Sequence, residues 1–297
     1  MFPAQTGRVT TTAPPTVTFP DGRTAPALGQ GTWYLGDDPR RRAAELEALR
    51  TGLDLGLTLV DTAEMYGDGA AEALVGEAIA GRRDEVFLVS KVLPGNASRR
   101  GTVDACHASL RRLGTDRLDL YLLHWRGGHP LSDTVEAMEA LVEEGAIGAW
   151  GVSNFDVDDL DDLAVATGAG GPARASGPHT DQVLYNLARR GPEFDLLPRL
   201  RADGVPLMAY SPVDHGELLD HPVVVSVAHD LGVTPAQLAL AWVLRLAPDV
   251  CVAVKAGSAA HTRENAAALG VDIDDQAFVQ LERAFPAPTA AVPLEVL

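Results

Sequence analysis

Residues 57–91 read LTLVDTAEMYGDGAAEALVGEAIAGRRDEVFLVSK and contain one strand–helix–strand unit. The apolar runs at 57–60 and 86–90 are short and continuous, which is typical of strands buried on both faces. Between them, residues 70–80 carry apolar side chains at the three-to-four-residue spacing of an amphipathic helix. A helical crossover of this length favours parallel pairing of the two strands.

The same alternation covers most of the chain. Further short apolar runs lie at 28–32, 118–123, 147–152, 182–184, 206–209 and 250–254. Helical periodicity recurs between runs, at 41–53, 102–113, 134–144 and 158–166. Eight strands with helical crossovers predict an α/β fold, a closed (β/α)8 TIM barrel. The alternative, an open doubly wound sheet, usually carries a glycine-rich phosphate fingerprint after its first strand, and Gly29, Gly31 and Gly36 lack that spacing.

Additional elements are expected at both ends of the barrel. Asp21-Gly22 predicts an N-terminal β-hairpin between 16–19 and 23–26. Extra helices near the C-terminus are predicted at 222–231 and from Pro235, which follows the N-cap residue Thr234. We therefore predict a disordered segment at 1–15, one barrel domain at 16–286 and a tail at 287–297. A flexible loop is expected at 167–178, which is rich in Gly, Ala and Pro.

The composition excludes several classes of partner. The 297 residues include 41 Asp and Glu against 24 Lys and Arg, a formal charge of −17. A field of that sign repels nucleic acid and anionic membranes, so neither is an expected partner and any phosphate needs a local site. Cys106 and Cys251 are too few for a disulfide framework and indicate a reducing compartment. Residues 1–17 lack the apolar centre of a secretory leader, and we expect a cytoplasmic protein.

Lysine is scarce in this chain. Of its 24 basic residues, Lys91 and Lys255 are the only lysines. An arginine cannot lose its proton, whereas a lysine is a compact point charge that perturbs its neighbours at close range. Both lysines are therefore candidates for chemistry, with chance retention as the alternative.

Polar side chains end three neighbouring predicted strands. Asp61, Lys91 and His124 follow the second, third and fourth apolar runs, and Tyr66 lies in a glycine-bounded loop after Asp61. Taken singly, each has an ordinary structural explanation such as helix capping or packing. The carboxyl ends of barrel strands form the active-site face, so their convergence on one rim favours catalysis.

These side chains suit the reduction of a carbonyl group. A phenol has a pKa of about 10, too high for efficient proton transfer near neutral pH unless its phenolate is stabilised. We expect the Lys91 ammonium to lower the pKa of Tyr66, and Asp61 to offset the cost of burying that ammonium. His124 would orient the carbonyl oxygen as it gains charge. No metal site is predicted, because the histidines lack H-x-H or H-E-x-x-H spacing.

Six motifs resemble the aldo-keto reductase superfamily. They are DTAEMYG at 61–67, VSKV at 89–92, DLYLLHW at 119–125, GVSNF at 151–155, QVLYN at 182–186 and AYSP at 209–212. The resemblance covers about residues 19–286. Within the superfamily, the chain is similar to bacterial reductases that act on methylglyoxal and other α-oxoaldehydes.

The resemblance implies an enzyme that reduces aldehydes and ketones to alcohols by hydride transfer from NADPH. It implies a catalytic tetrad of Asp61, Tyr66, Lys91 and His124, with Tyr66 as general acid. It implies cofactor contacts from Thr32, Trp33, Asp61, Ser153, Asn154, Gln182, Tyr210, Ser211, Val213, Lys255, His261, Glu264 and Asn265. Of these, Ser153, Asn154 and Gln182 would hold the nicotinamide carboxamide, and Tyr210 would stack on the ring. It implies a substrate pocket lined by Trp33, Trp125 and Phe155.

The chain departs from the family pattern where the 2′-phosphate of NADPH is expected. Ala256 stands in the place of a serine, and His261 in the place of an arginine. A neutral histidine offers at most one donor, so this change weakens the preference for NADPH over NADH. We still expect NADPH, since Lys255 and a helix N-terminus remain available to the phosphate.

Other functional classes stay open at this stage. An aldolase could use Lys91 to form a Schiff base, a metal-dependent hydrolase is conceivable for the fold, and some relatives serve as cofactor-binding accessory subunits. An NADH-preferring reductase is a further alternative. The expected partner is a small carbonyl compound, and the expected state is a monomer.

Overall fold

The computed structural model describes residues 14–168 and 177–297. Its strands are β1 (Thr16–Thr18), β2 (Thr24–Pro26), β3 (Leu28–Gly31), β4 (Leu59–Asp61), β5 (Phe87–Val92), β6 (Leu118–Leu123), β7 (Ile147–Ser153), β8 (Asp181–Leu184), β9 (Leu207–Tyr210) and β10 (Val250–Lys255). Its α-helices are α1 (Arg42–Asp54), α2 (Ala70–Ile79), α3 (Arg99–Leu113), α4 (Leu131–Glu144), α5 (Val157–Ala166), α6 (Leu196–Asp203), α7 (Pro222–Leu231), α8 (Pro235–Leu244), α9 (Ala259–Ala267) and α10 (Asp275–Ala284).

Strands β3 to β10 form a closed parallel barrel. Each strand pairs with the next one along the chain, and β10 closes the barrel against β3, with Lys255 opposite Gly31. Almost every residue of β4 to β9 is buried, which explains why these strands appear as continuous apolar runs. The predicted (β/α)8 barrel is confirmed.

The predicted N-terminal hairpin is also confirmed. Strands β1 and β2 pair antiparallel, with Val17 opposite Ala25. Phe19 stacks on Phe87 at the start of β5, with ring centroids 4.8 Å apart. The Arg23 guanidinium donates to the carbonyl oxygen of Asp119 at 2.9 Å. The hairpin therefore packs against the amino ends of the strands, opposite the face on which a barrel carries its active site.

Helix boundaries differ from the periodic segments where a cap extends the helix. Helix α3 begins at Arg99, three residues before the predicted start, because the Ser98 side chain accepts a hydrogen bond from the Gly101 N–H. In α8, Thr234 is the N-cap residue, as predicted, and it forms the reciprocal contacts of a capping box with Gln237.

The C-terminal end of the chain contributes little regular structure. Residues 286–297 include no helix or strand, but Arg189 pairs with Glu295 at 2.8 Å, which brings this tail to the loop after β8. Most of the predicted disordered segment and of the predicted loop at 167–178 lies outside the described residues. Among the described helices, none alone is long and apolar enough to cross a membrane, and only α7 and α8, bent by 88°, reach that length together.

Candidate active site

The four predicted catalytic residues lie together at the carboxyl rim of the barrel. Asp61 is the last residue of β4, Lys91 lies in β5 one residue before its end, and His124 directly follows β6. Tyr66 begins a one-turn 3-10 helix, Tyr66–Gly69, between β4 and α2. Three consecutive parallel strands thus bring side chains that are far apart in the sequence to one place.

The Lys91 ammonium is the centre of this cluster. The side chain is fully buried, and its Nζ lies 2.8 Å from Oδ1 of Asp61. The same Nζ donates to the Thr62 carbonyl oxygen at 2.8 Å and to the Tyr66 hydroxyl at 3.1 Å. An ammonium has three donors and no acceptor, so all of its hydrogen-bonding capacity is used. Asp61 supplies the opposite charge that makes this burial possible.

The loop after Tyr66 depends on glycine. Gly67, Asp68 and Gly69 all adopt left-handed backbone angles, which glycine tolerates and other residues avoid. A Cβ at Gly69 would also lie 2.5 Å from Cδ of Arg112 on α3. This tight turn aims the Tyr66 phenol back at Lys91.

The structure corrects the expected pKa of Tyr66. Burial raises the pKa of Tyr66 above its ordinary value, the Lys91 charge lowers it by a smaller amount, and Asp61 raises it again. Lys91 lowers the pKa of Tyr66, as predicted, but the net pKa is raised, because desolvation of the phenolate outweighs the nearby ammonium. The phenol therefore keeps its proton throughout the neutral range.

The other two titratable groups also have fixed charges. Burial opposes the Lys91 ammonium, but the charges of Asp61 and Tyr66 leave the pKa of Lys91 raised. Burial, with a smaller contribution from Lys91, lowers the pKa of His124 to about 2. His124 is therefore a neutral imidazole, and its buried Nδ1 has no hydrogen-bond partner. Its ring meets the Tyr66 ring edge-on, with centroids 5.7 Å apart.

A second polar network joins Gln182 within β8 and residues at the ends of β7 and β9 to the tetrad. The Gln182 side chain donates to Oδ1 of Asp61 at 2.8 Å, and the Ser153 hydroxyl donates to the Gln182 carbonyl oxygen at 2.7 Å. Asn154 donates to the His124 carbonyl oxygen at 3.1 Å and accepts from the Tyr210 hydroxyl at 2.8 Å. The residues predicted to hold a carboxamide therefore also fix Asp61 and His124.

The loop after β9 has a strained backbone. Ser211, Asp214 and His215 all have positive φ angles near 50°. The His215 ring meets the Trp33 ring at 5.6 Å, which joins this loop to the one after β3. Non-glycine residues in the left-handed region cost free energy and concentrate at functional sites.

The end of β10 and helix α9 carry the predicted phosphate-binding residues. Lys255 and His261 are exposed, Glu264 is half-buried and Asn265 is buried. Ser258 caps α9 by accepting the His261 backbone N–H at 3.3 Å. This end of the site is open to solvent, whereas the tetrad is not.

Two predicted residues occupy supporting positions. Thr32 has no exposed surface, and its hydroxyl donates to the Asp61 carbonyl oxygen at 3.0 Å. Phe155 also has no exposed surface and packs in the hydrophobic core. Neither side chain is exposed at the surface. Trp125 is 38% exposed and Trp33 half-buried, so these two rings can contact a substrate.

Sequence reasoning missed a buried carboxylate behind the tetrad. Glu72 in α2 has no exposed surface, accepts from the Ser90 hydroxyl at 2.5 Å and pairs with Arg112 at 2.5 Å. It ties the helix that follows Tyr66 to the strand that carries Lys91. Its only signal in the sequence is an acidic residue in the first turn of a helix, which also occurs at ordinary exposed helix starts.

Comparisons with known proteins identify the family of this chain. The model of the aldo/keto reductase family matches residues 27–285, and the chain belongs to that family. Methylglyoxal reductase YeaE of Escherichia coli is 47% identical over 277 residues, which cover 92% of this chain and 95% of the relative. A crystal structure of an aldo/keto reductase from Klebsiella pneumoniae with NADP and acetate has a TM-score of 0.89 and 47% identity, covering 96% and 100% of the two chains. A second structure from that organism, with NADPH, has a TM-score of 0.90 and 46% identity over the same shares.

Proposed function

We propose that this protein reduces small aldehydes and ketones to alcohols with NADPH, and that Tyr66 is the general acid. The observation that carries the proposal is the contact of the Tyr66 hydroxyl with the buried Lys91 ammonium at 3.1 Å. The phenol is protonated at neutral pH and can pass its proton to a carbonyl oxygen. The ammonium then stabilises the phenolate that remains.

The remaining residues have distinct roles in this scheme. Neutral His124 donates a hydrogen bond to the carbonyl oxygen and orients it toward Tyr66. Asp61 holds Lys91 charged. The amide and hydroxyl groups of Ser153, Asn154 and Gln182 match the donors and acceptors of a carboxamide, so the residues present fit a nicotinamide. When bound, NADPH supplies the hydride that reduces the carbonyl carbon.

The proposed substrates are α-oxoaldehydes. Support comes from the E. coli relative, which is named a methylglyoxal reductase and is 47% identical to this chain. Trp33 and Trp125 offer flat apolar walls beside His124, whose ring lies 4.9 Å from that of Trp125. The expected monomeric state and cytoplasmic location stay predictions.

The hydrogen bonding of Lys91 argues against Schiff-base chemistry. A nucleophilic amine must be uncharged and free to approach a carbonyl carbon. Here the ammonium is fully buried, donates to three oxygens, and Asp61 keeps it charged. In the described part of the chain, no three His, Cys, Asp or Glu side chains lie close enough together to hold a metal ion.

A steady-state assay tests the proposal. Methylglyoxal, a simple aldehyde and a simple ketone are each mixed with enzyme and NADPH, and loss of NADPH absorbance is followed. Continuous turnover with at least one carbonyl supports a reductase. Tight NADPH binding without turnover on any of the three contradicts it and favours an accessory subunit.

The pH dependence of reduction follows from the raised pKa of Tyr66. The protonated phenol is the acid, so kcat for reduction should stay flat across neutral pH and fall only in the alkaline range. Alcohol oxidation needs the phenolate, so its kcat should rise over the same alkaline range. Initial rates at saturating substrate measure both profiles. A fall in reduction centred near pH 6.5 would instead identify a histidine as the acid.

Replacing His261 with Arg should strengthen the preference for NADPH. A guanidinium can bind the 2′-phosphate through two charge-assisted hydrogen bonds, which should favour NADPH over NADH by about 1 to 3 kcal/mol. Fluorescence titration with each dinucleotide measures the change. Ala267→Arg adds the same charge at the far, exposed end of α9 and should change neither affinity. Equal effects of the two variants would mean that the phosphate binds elsewhere.

A further inference from the structure

Arg41 is the N-cap residue of α1 and lies beside the loop that follows β10. A Cβ added at Gly257 would come within 2.7 Å of Nη2 of Arg41. The two residues come from opposite ends of the chain. Closure of the barrel, which pairs β10 with β3, brings them together. Helix α9 packs beside α1, where the Thr262 hydroxyl donates to the Ala48 carbonyl oxygen at 3.2 Å.

The Arg41 guanidinium also forms an ion pair with a buried carboxylate. Nε of Arg41 lies 3.5 Å from Oε1 of Glu45. Glu45 itself has no exposed surface, and its Oε2 accepts the Gly36 N–H at 2.9 Å. The Nε edge of the guanidinium is thus turned to α1, and an Nη nitrogen faces Gly257. The Arg41 side chain is 55% exposed, so that face can reach a ligand.

The two neighbouring arginines form ion pairs with other residues. Arg40 pairs with Asp38 at 2.8 Å, and Arg42 pairs with Glu77 at 2.6 Å across to α2. Of these three consecutive arginines, Arg41 is the one that approaches the loop after Lys255. A chain with a charge of −17 needs such local cations to hold a phosphate dianion.

We propose that Arg41 is a specificity-determining residue that binds the 2′-phosphate of NADPH together with Lys255. It supplies, from α1, the guanidinium that His261 cannot provide from α9. The fork of an arginine matches two phosphate oxygens, and Gly257 leaves the space through which it approaches. The inference rests on the proposed use of NADPH with its 2′-phosphate at the end of β10.

Equilibrium binding tests the inference without turnover. Wild type, Arg41→Ala, Arg41→Lys and the matched control Arg42→Ala are titrated with NADPH and NADH, and intrinsic fluorescence is followed. Arg41→Ala should weaken the binding of NADPH about tenfold or more and leave the affinity for NADH unchanged. Arg41→Lys should recover part of the loss, since it keeps the charge without the fork. Arg42→Ala should bind both dinucleotides like wild type.

A second variant moves the guanidinium without removing its charge. Gly257→Ala should displace Arg41, weaken the binding of NADPH and leave the affinity for NADH unchanged. Adenosine 2′,5′-bisphosphate, measured as a competitor, should also bind these variants more weakly. That result would assign the lost affinity to the 2′-phosphate end of NADPH. Arg41→Ala should also make NADPH binding less sensitive to added salt.

The outcomes separate the two proposals. If wild type prefers NADPH but Arg41→Ala keeps that preference, or loses NADPH and NADH affinity equally, the role of Arg41 is overturned and the proposed reductase stands. If wild type binds neither dinucleotide, both proposals are overturned. Loss of turnover in a Tyr66 variant with normal NADPH binding leaves the Arg41 result intact.

Discussion

Tyr66→Phe is expected to lower kcat for aldehyde reduction by about a hundredfold or more, the scale of a lost general acid. The substitution removes only the hydroxyl that accepts from Lys91 at 3.1 Å. No other side chain of the tetrad can replace it, since the Lys91 ammonium is fully buried and its pKa is raised. His124, with its pKa lowered to about 2, carries no ionisable proton to donate near neutral pH. Asp61 is engaged by Lys91 and Gln182.

The effect should be confined to the chemical step. NADPH affinity, measured by fluorescence titration, should change little, because the phenol is expected to face the substrate rather than the adenosine end of the cofactor. Tyr34→Phe is the matched control. Tyr34 stacks on Trp33 and is 54% exposed, so loss of its hydroxyl should leave kcat close to wild type. A Tyr66→Phe enzyme with wild-type kcat would end the assignment of Tyr66 as general acid.

The barrel could be predicted because each of its strands is buried on both faces. A strand buried on both faces needs a continuous run of apolar residues, which is visible in the sequence. The helices between these runs favour parallel pairing of the strands. Strand ends were harder to predict. Lys91 was predicted to end its strand, yet β5 continues one residue further, to Val92, and the Lys91 ammonium bonds inside the barrel. Ser153 is the last residue of β7, as predicted. A buried polar residue such as Lys91 can continue a strand when the interior offers it a partner.

The sequence predicted which residues form the candidate site, but it did not predict the direction of the pKa shift of Tyr66. Strand ends converge in a barrel whatever the sequence between them, so the positions of Asp61, Lys91 and His124 indicate proximity. The direction of the Tyr66 pKa shift depends on how completely the ring is desolvated, which residue order does not specify. The approach of Arg41 to Gly257 depends on the closure of β10 against β3, so it emerges only from the three-dimensional structure.

Lys91→Met should abolish most turnover and also destabilise the fold. The substitution keeps an unbranched chain but removes the ammonium that bonds Tyr66 and neutralises Asp61. Without that charge the phenolate left by proton transfer has no stabilising partner, so kcat should fall by about a hundredfold or more. The Asp61 carboxylate, only 3% exposed, becomes an uncompensated buried charge. Loss of one partner of a buried pair costs about 3–5 kcal/mol of unfolding free energy.

The double variant Asp61→Asn/Lys91→Met separates these two effects. It removes both charges, so the unfolding free energy measured in urea should recover most of the loss seen in Lys91→Met. Its kcat should stay as low as in the single variant, because the Tyr66 hydroxyl still lacks the ammonium. Lys255→Met is the control. Lys255, the only other lysine, is exposed, so this substitution should change the unfolding free energy by no more than about 0.5 kcal/mol. A double variant as unstable as Lys91→Met would mean that the buried charge of Asp61 is not what destabilises the single variant. Recovery of stability together with kcat would mean that Lys91 acts on catalysis only by keeping the barrel folded.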